Sequence, residues 1–267
     1  MVAGSADLVF DLIRKHEIDC DAVQNGWLQP AHRASRMRGV QKKHDQWAAR
    51  GAPVEIFDAD EAAELTGSPI YHGGWMHRAG GHIQPLSYCR GLARAAQTAG
   101  AAVHGDSPVQ SVDRQGDKWR VKLAGGAVLA EKVILATNGY TGDLFPILRQ
   151  TIVPLRSSHL ATMPMSDNIA KTVLPENHGL SDTRQALWAF RKDRYGRIIT
   201  TSAPVFTAGA RGRMSVSTIK RLKTAFPQIE NPKIEYFWEG TVAMTPERLP
   251  HYHELAGGII TALGYSG

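Results

Sequence analysis

The sequence predicts a mixed α/β protein, an α+β arrangement in which helices accompany largely antiparallel sheet. Three observations carry that prediction. An uncharged apolar run, Val133-Ile134-Leu135-Ala136-Thr137, leads straight into Asn138-Gly139-Tyr140-Thr141-Gly142. A second run of the same kind, Gly258-Ile259-Ile260-Thr261-Ala262-Leu263, enters Gly264-Tyr265-Ser266-Gly267. Elsewhere, segments of helical period and segments of strand period alternate along the chain, as a layered α/β architecture requires. A short apolar run without charge reads as a strand buried on both faces. Asn-Gly at its exit lets the backbone take positive φ and lie close to a neighbour. In open α/β sheets, the crevice beyond the carboxyl ends of strands is where nucleotides bind. A buried strand ending in an ordinary turn has the same composition, so both readings stand at this point.

The elements follow in order. Leu8, Val9, Leu12 and Ile13 recur at helical spacing and predict a helix over 5–16. Asn25-Gly26 marks a turn before Trp27-Leu28, and the polar, basic stretch 31–50 reads as a surface helix ended by Gly51. Val54–Phe57 is a short strand, and Asp58 with Glu61 three residues on predicts a capped helix ending near Gly67. A Gly/His-rich loop spans 71–85. Pro85 sits at a first helical position, and Leu86–Ala99 is a helix closed by Gly100. Strands are expected at 102–104, 109–112, 119–123 and 127–129, with a hairpin signal at Gly125-Gly126, forming a small antiparallel sheet. Beyond it, 152–165 reads as a long strand with proline breaks, and 187–191 pairs with 197–200 as a hairpin. Ser217 is a candidate cap for a helix carrying Ile219, Leu222 and Phe226 and stopped by Pro227, and Ile234–Trp238 is a further strand.

Composition narrows the function classes. The 267 residues suffice for one large or two ordinary domains with real cores, and 43% hydrophobic with 21% charged residues is a globular balance. Cys20 and Cys89 form no CxxC pair, which argues against a disulfide framework or a zinc site and for a reducing cytoplasm. No apolar run approaches the ~20 residues of a membrane span. The net charge of +6 is scattered apart from Arg33, Arg36, Arg38, Lys42, Lys43, His44 and Arg50, and no aromatic-lined basic stripe or nucleic-acid module accompanies it. A nucleic-acid partner is therefore not expected. His72, His77 and His82 are five residues apart across glycine pairs that forbid a regular helix, so no metal is expected there. His251-Tyr252-His253-Glu254 reads as a surface turn.

Several of these stretches occur together in an order that resembles a known family. They are Gly80-Gly81-His82-Ile83-Gln84-Pro85 with its Gly91-Leu92-Ala93-Arg94-Ala95-Ala96 helix, Val109–Val112, Val133–Tyr140, Ser181-Asp182-Thr183-Arg184 before an aromatic-Arg strand, Phe226-Pro227, Trp238-Glu239-Gly240 and Gly264–Gly267. The set resembles the FAD-dependent amine and amino-acid oxidoreductases related to D-amino-acid oxidase, and is most like the gamma-glutamylputrescine oxidase branch. The resemblance implies a partial FAD-binding Rossmann-like domain over 80–150 and 246–267, and a mostly antiparallel substrate domain over 51–79 and 151–245. A helical segment, 1–50, is expected to pack on the latter. Members of the family open with a Gly-x-Gly-x-x-Gly turn that seats the FAD pyrophosphate, a motif these 267 residues lack. They also continue past the final Gly-Tyr-Ser-Gly. The chain is therefore expected to be a fragment, inactive by itself.

The implied activity is oxidation of the C–N bond of a small-molecule amine or amino acid by hydride transfer to FAD. A gamma-glutamylputrescine-like polyamine derivative is one such substrate. The resemblance puts FAD contacts at Val109, Ala136, Thr137, Asn138 and Gly139, and at Gly264, Tyr265, Ser266 and Gly267. His82, Trp238 and Met244 are candidates to face the flavin ring or substrate. Trp238 has core packing as its alternative, and His82 a hydrogen bond to a neighbouring loop. Arg248 is a candidate for gripping a substrate carboxylate or else a surface arginine. A flavin-free binding module of the same fold, and a basic nucleic-acid-binding protein, are the competing readings.

Overall fold

The computed structural model describes residues 4–202, 210–255 and 257–265. The fold is mixed α/β and divides into two compact units: residues 1–102 with 158–238, and residues 103–157 with 239–267.

The first unit begins with α1 (Ser5–Lys15), whose Phe10 and Ile13 are buried with Ile18 and Cys20. After β1 (Trp27–Pro30) and a short 3-10 turn comes α2 (Met37–Ala48), which buries Val40 alone and is otherwise a surface helix. Next are β2 (Val54–Phe57) and α3 (Ala59–Thr66). The expected capping box closes α3 at its start: Glu61 N–H donates to Asp58 Oδ1 at 3.0 Å, and Asp58 N–H donates to Glu61 Oε2 at 2.8 Å. β3 (Gly74–His77) leads through the Gly/His loop to α4 (Pro85–Thr98), with Pro85 in its first turn.

The second unit opens with the expected meander, β4 (Val109–Gln115), β5 (Lys118–Leu123) and β6 (Gly126–Ala130), followed by β7 (Val133–Leu135) and the short α5 (Pro146–Arg149). The chain then enters β8 (Val153–Thr162) and passes α6 (Asp167–Ala170), β9 (Gly179–Ser181), β10 (Ala189–Lys192), β11 (Ile198–Ser202) and α7 (Ala210–Ala225). It ends with β12 (Ile234–Met244), β13 (His251–Leu255) and β14 (Ile259–Leu263).

The main sheet has eight strands in the order β12-β8-β11-β10-β9-β1-β3-β2. Alternation along its strands sends Leu28, Leu180, Phe190 and Ile198 into one core, where they meet Leu222, Ala225 and Phe226 of α7 and its exit. Phe190 and Phe226 meet edge to face, with centroids 5.1 Å apart. The side chains alternating with these point to the opposite face.

Five local expectations are corrected. Residues 102–104 form no strand; they are exposed and unpaired in any sheet. β8 runs unbroken through Pro154. Ser217 caps nothing: α7 begins seven residues earlier, at Ala210, and Ser217 is exposed in its middle. His251–Glu254 is strand, not turn, because it pairs antiparallel with β14 from His251↔Leu263 to Leu255↔Ile259. The run at 133–137 is strand only to Leu135 and is buried on one face: Leu135 is 7% exposed and enters a core with Leu148, Ile152, Ile259 and Leu263, whereas Ile134 is 72% exposed.

Candidate functional site

In the second unit, β7 and β14 lie side by side and parallel, with Ile259↔Val133, Ile260↔Ile134 and Thr261↔Leu135 in register. Both therefore deliver their carboxyl ends to the same edge, the position where α/β sheets receive nucleotides. The two exits are tied together. Gly264 N–H donates to Asn138 Oδ1 at 3.0 Å, and Thr261 Oγ1 donates to the Leu135 carbonyl at 2.7 Å. The positive φ expected at the Asn-Gly exit falls on Asn138 (φ +41) and on Gly264 (φ +77), not on Gly139. Gly139 is required for another reason. A Cβ there would stand 2.3 Å from the Thr241 carbonyl oxygen, so this glycine lets two backbones touch. Tyr140 joins the same contact, its hydroxyl accepting from Thr241 N–H at 3.1 Å.

Ala136 and Thr137 are small and exposed at this edge, and Val109 is exposed at the start of β4 opposite Leu123. Tyr265 is half exposed, and Ser266 and Gly267 lie outside the described residues. Met244 ends β12 half-buried. Arg248 sits on an exposed turn in left-handed backbone (φ +60), closed by Arg248 N–H to the Thr245 carbonyl at 3.0 Å.

In the first unit, the face of the main sheet opposite that core carries a pocket of about 190 Å³. The period of two that fills the core with Leu28, Leu180, Phe190 and Ile198 turns the intervening Trp27, Gly179, Ser181, Ala189, Arg191 and Ile199 toward this pocket. Register binds them into one wall: Ala189 opposes Ser181, Arg191 opposes Ile199, and Thr201 opposes His159. His82 enters from the Gly/His loop, which is anchored by the antiparallel bridge Val23↔His82. His82 Nε2 donates to the Asn177 carbonyl at 2.9 Å, and Nδ1 is buried with no partner among the described residues. Burial pulls the His82 imidazole below its usual range, and the same cause, helped by the Arg191 charge, acts on His159. Trp238 stacks on His159 with centroids 5.6 Å apart and planes 12° from parallel.

The structure thus brings together His82, His159 and Trp238, and separately the strand exits at Asn138–Gly139 and Gly264. Met244 and Arg248 belong to the second unit and are not among the residues that line the pocket. Sequence reasoning passed over Arg191 and His159. Arg191 stood in the aromatic-Arg strand already singled out, and its alternation with Phe190 was the available signal. His159 had none, since Trp238 is 79 positions away in the chain.

A family model described as FAD dependent oxidoreductase matches residues 1–267. The chain is 30% identical over 276 residues to the Probable oxidoreductase OrdL of Haemophilus influenzae, covering 100% of this chain and 62% of that protein. It is 28% identical over 269 residues to the Gamma-glutamylputrescine oxidoreductase of Escherichia coli, covering 100% of this chain and 62% of that protein. The chain therefore spans about three fifths of these relatives' length. Among solved structures, glycine oxidase from Geobacillus kaustophilus superposes with a TM-score of 0.80 at 18% identity, over 99% of this chain and 71% of that one, a likeness of fold alone.

Proposed function

Because the chain belongs to the family of FAD-dependent oxidoreductases, whose cofactor is FAD, we propose that it serves to oxidise the C–N bond of an amine or amino acid. A gamma-glutamylputrescine-like derivative is the first substrate to try, the name of one relative being the reason. The observation that carries the reading is the pocket on the sheet face opposite the core, in a chain that the family model matches throughout. FAD, when bound, would supply the hydride acceptor for oxidation of the carbon that bears the amine.

The chain's own residues supply positioning. A nucleotide needs backbone within hydrogen-bond reach and no bulky side chains in the way. The exposed, small Ala136 and Thr137 at the end of β7 meet that need, with Asn138 and Gly139 fixing the turn beside them. In this reading Val109, Gly264, Tyr265, Ser266 and Gly267 complete the cofactor contacts. His82 and Trp238 shape the substrate pocket, with Met244 and Arg248 as further candidates. Burial pulls both His82 and His159 toward the neutral form. The free thiols of Cys20 and Cys89 support a reducing, cytoplasmic setting. Among the described residues no helix is long and apolar enough to cross a membrane.

The test is anaerobic. The protein, with whatever sequence flanks these 267 residues in its gene, is loaded with FAD and mixed with gamma-glutamylputrescine, putrescine, glycine, proline and sarcosine in turn. Bleaching of the flavin absorbance with release of the matching carbonyl product is expected for at least one. Protein-bound FAD that stays oxidised with every amine would overturn the proposal.

A further inference from the structure

A second polar cluster lies on the core side of the main sheet, against α7. Thr218, Arg221, Leu222 and Ala225 share one face of that helix by their spacing. Tyr71 meets this face in the core that also holds Leu222 and Ala225. Tyr71 is 3% exposed and Thr218 1% exposed. The Tyr71 hydroxyl, Thr218 Oγ1 and Arg221 Nε are each buried with no hydrogen-bond partner among the described residues. Trp188 brings in a second cation: its ring centre lies 3.7 Å from the Arg184 guanidinium and 5.8 Å from that of Arg221. The carboxylate whose field reaches Tyr71 and Arg221 is Asp182, and it is spent on its own loop. Asp182 Oδ1 accepts from Arg184 N–H at 3.0 Å and from Trp188 N–H at 3.1 Å, and Oδ2 accepts from Arg184 Nη1. Arg221 Nη2 donates to the Thr201 carbonyl, and Arg221 makes no ion pair among the described residues. Two guanidiniums against one carboxylate leave a positive charge beside the unused donors.

We propose that Tyr71, Thr218 and Arg221 form a binding site for a monatomic anion of the halide class, with chloride the first to try. All three groups can donate to it: an arginine Nε–H has no accepting capacity, and a hydroxyl turns its hydrogen to suit. Burial pushes the Tyr71 hydroxyl well above its usual range, so it stays protonated and able to donate. Buried donors without partners are costly, and a buried cation without one is more so. A water molecule would satisfy the donors and leave the charge uncompensated, whereas an anion answers both. None of Tyr71, Thr218 and Arg221 lines the pocket described above, so this site does not depend on what that pocket binds. An anion held here ties α7 to the segment carrying Tyr71 and stabilises the first unit by mass action.

Thermal unfolding in two salts tests this without any turnover. The protein, with whatever flanks these residues in its gene, is exchanged into sodium gluconate and titrated with sodium chloride at constant ionic strength. A saturable rise in midpoint of about 3 °C is expected. Tyr71→Phe removes one donor and leaves the ring in place. In gluconate this variant should be at least as stable as the wild type, because an unpaired buried hydroxyl has been deleted. With chloride it should need about tenfold more salt to reach half its rise, as loss of one charge-assisted hydrogen bond implies. Tyr195→Phe, at a side chain 66% exposed, is the control and should keep the wild-type response. Coinciding wild-type midpoints in the two salts, or a Tyr71→Phe variant with the full wild-type chloride response, would overturn the proposal. Should Tyr71→Phe fail to fold, Thr218→Val decides by the same comparison. A chloride response weakened about tenfold supports the assignment, and an unchanged one refutes it.

Discussion

Asn138 and Gly264 lie 126 positions apart in the chain and are joined by one hydrogen bond, Gly264 N–H to Asn138 Oδ1 at 3.0 Å. The bond locks the exits of two parallel strands to each other, and both residues hold left-handed backbone to make it (φ +41 and +77). Asn138 tolerates that conformation better than most side chains do. Asn138→Gly should keep the backbone and lose the bond, at a cost of about 1 kcal/mol. Asn138→Ala loses the bond and adds backbone strain, for about 2 kcal/mol in total. Urea midpoints in the order Asn, Gly, Ala are expected, and an Ala variant as stable as the wild type would show that the tie is idle.

Gly139 makes a different prediction. A β-carbon there meets the Thr241 carbonyl oxygen at 2.3 Å and Ala243 N at 3.2 Å. Gly139→Ala should therefore push β12 backbone away and destabilise the second unit by about 3 kcal/mol, as overpacking does. Gly142→Ala, where a Cβ meets nothing within 4 Å, is the control and should be neutral within about 0.5 kcal/mol. Gly139 thus serves backbone packing first. Flavin loss in a Gly139 variant reports on the cofactor only if the thermal midpoint is unchanged.

The buried imidazoles set a pH dependence. His82, His159 and His178 are all held below the usual histidine value, burial being the largest cause in each. Between their folded values and the unfolded value near 6.5, the unfolded chain binds more protons than the native one. Stability from these groups is accordingly full above about pH 6.5 and declines as pH falls through the folded values. The charges facing His82 are Arg191, Asp21 and His178, and Arg191 faces His159. Thermal midpoints measured from pH 8 to pH 5 should fall toward the acid end, and His159→Asn should flatten the slope. An identical slope in that variant would remove His159 from the account.

Trp238 and His159 supply a spectroscopic test. The stacked indole covers one face of the imidazole, and burial is the main cause of the lowered His159 value. Trp238→Ala should raise the His159 titration midpoint toward the ordinary histidine range while costing about 1 kcal/mol in lost ring contact. A His159 midpoint that does not move would mean other neighbours desolvate it.

Local features were legible in the sequence because their causes lie within one turn of chain. Asp58 and Glu61 are three residues apart and satisfy each other's backbone donors wherever the rest of the molecule goes. Pro85 marks the start of α4, and the strand signals over 109–123 and at 133 and 259 were read for the same kind of reason. Where one local signal competed with another, reading failed. Ser217 reads as a cap, yet the helix had already begun at Ala210, since packing of Met214 and Leu222 outweighs the cap preference of a single serine.

The sequence by itself determined which family the chain resembles, the alternation that separates Phe190 from Arg191, and the turns at Gly26, Gly67 and Gly126. Only the tertiary structure decided which strands are neighbours. The parallel register of β7 with β14 closes a loop of more than a hundred residues, and no local preference records that closure. It also decided that Ile134 is exposed, that Gly139 abuts Thr241, and that Arg191 Nη1 is buried with no hydrogen-bond partner among the described residues. Each of these depends on atoms far away in sequence, and desolvation, unlike helix propensity, is a property of whatever those distant atoms enclose.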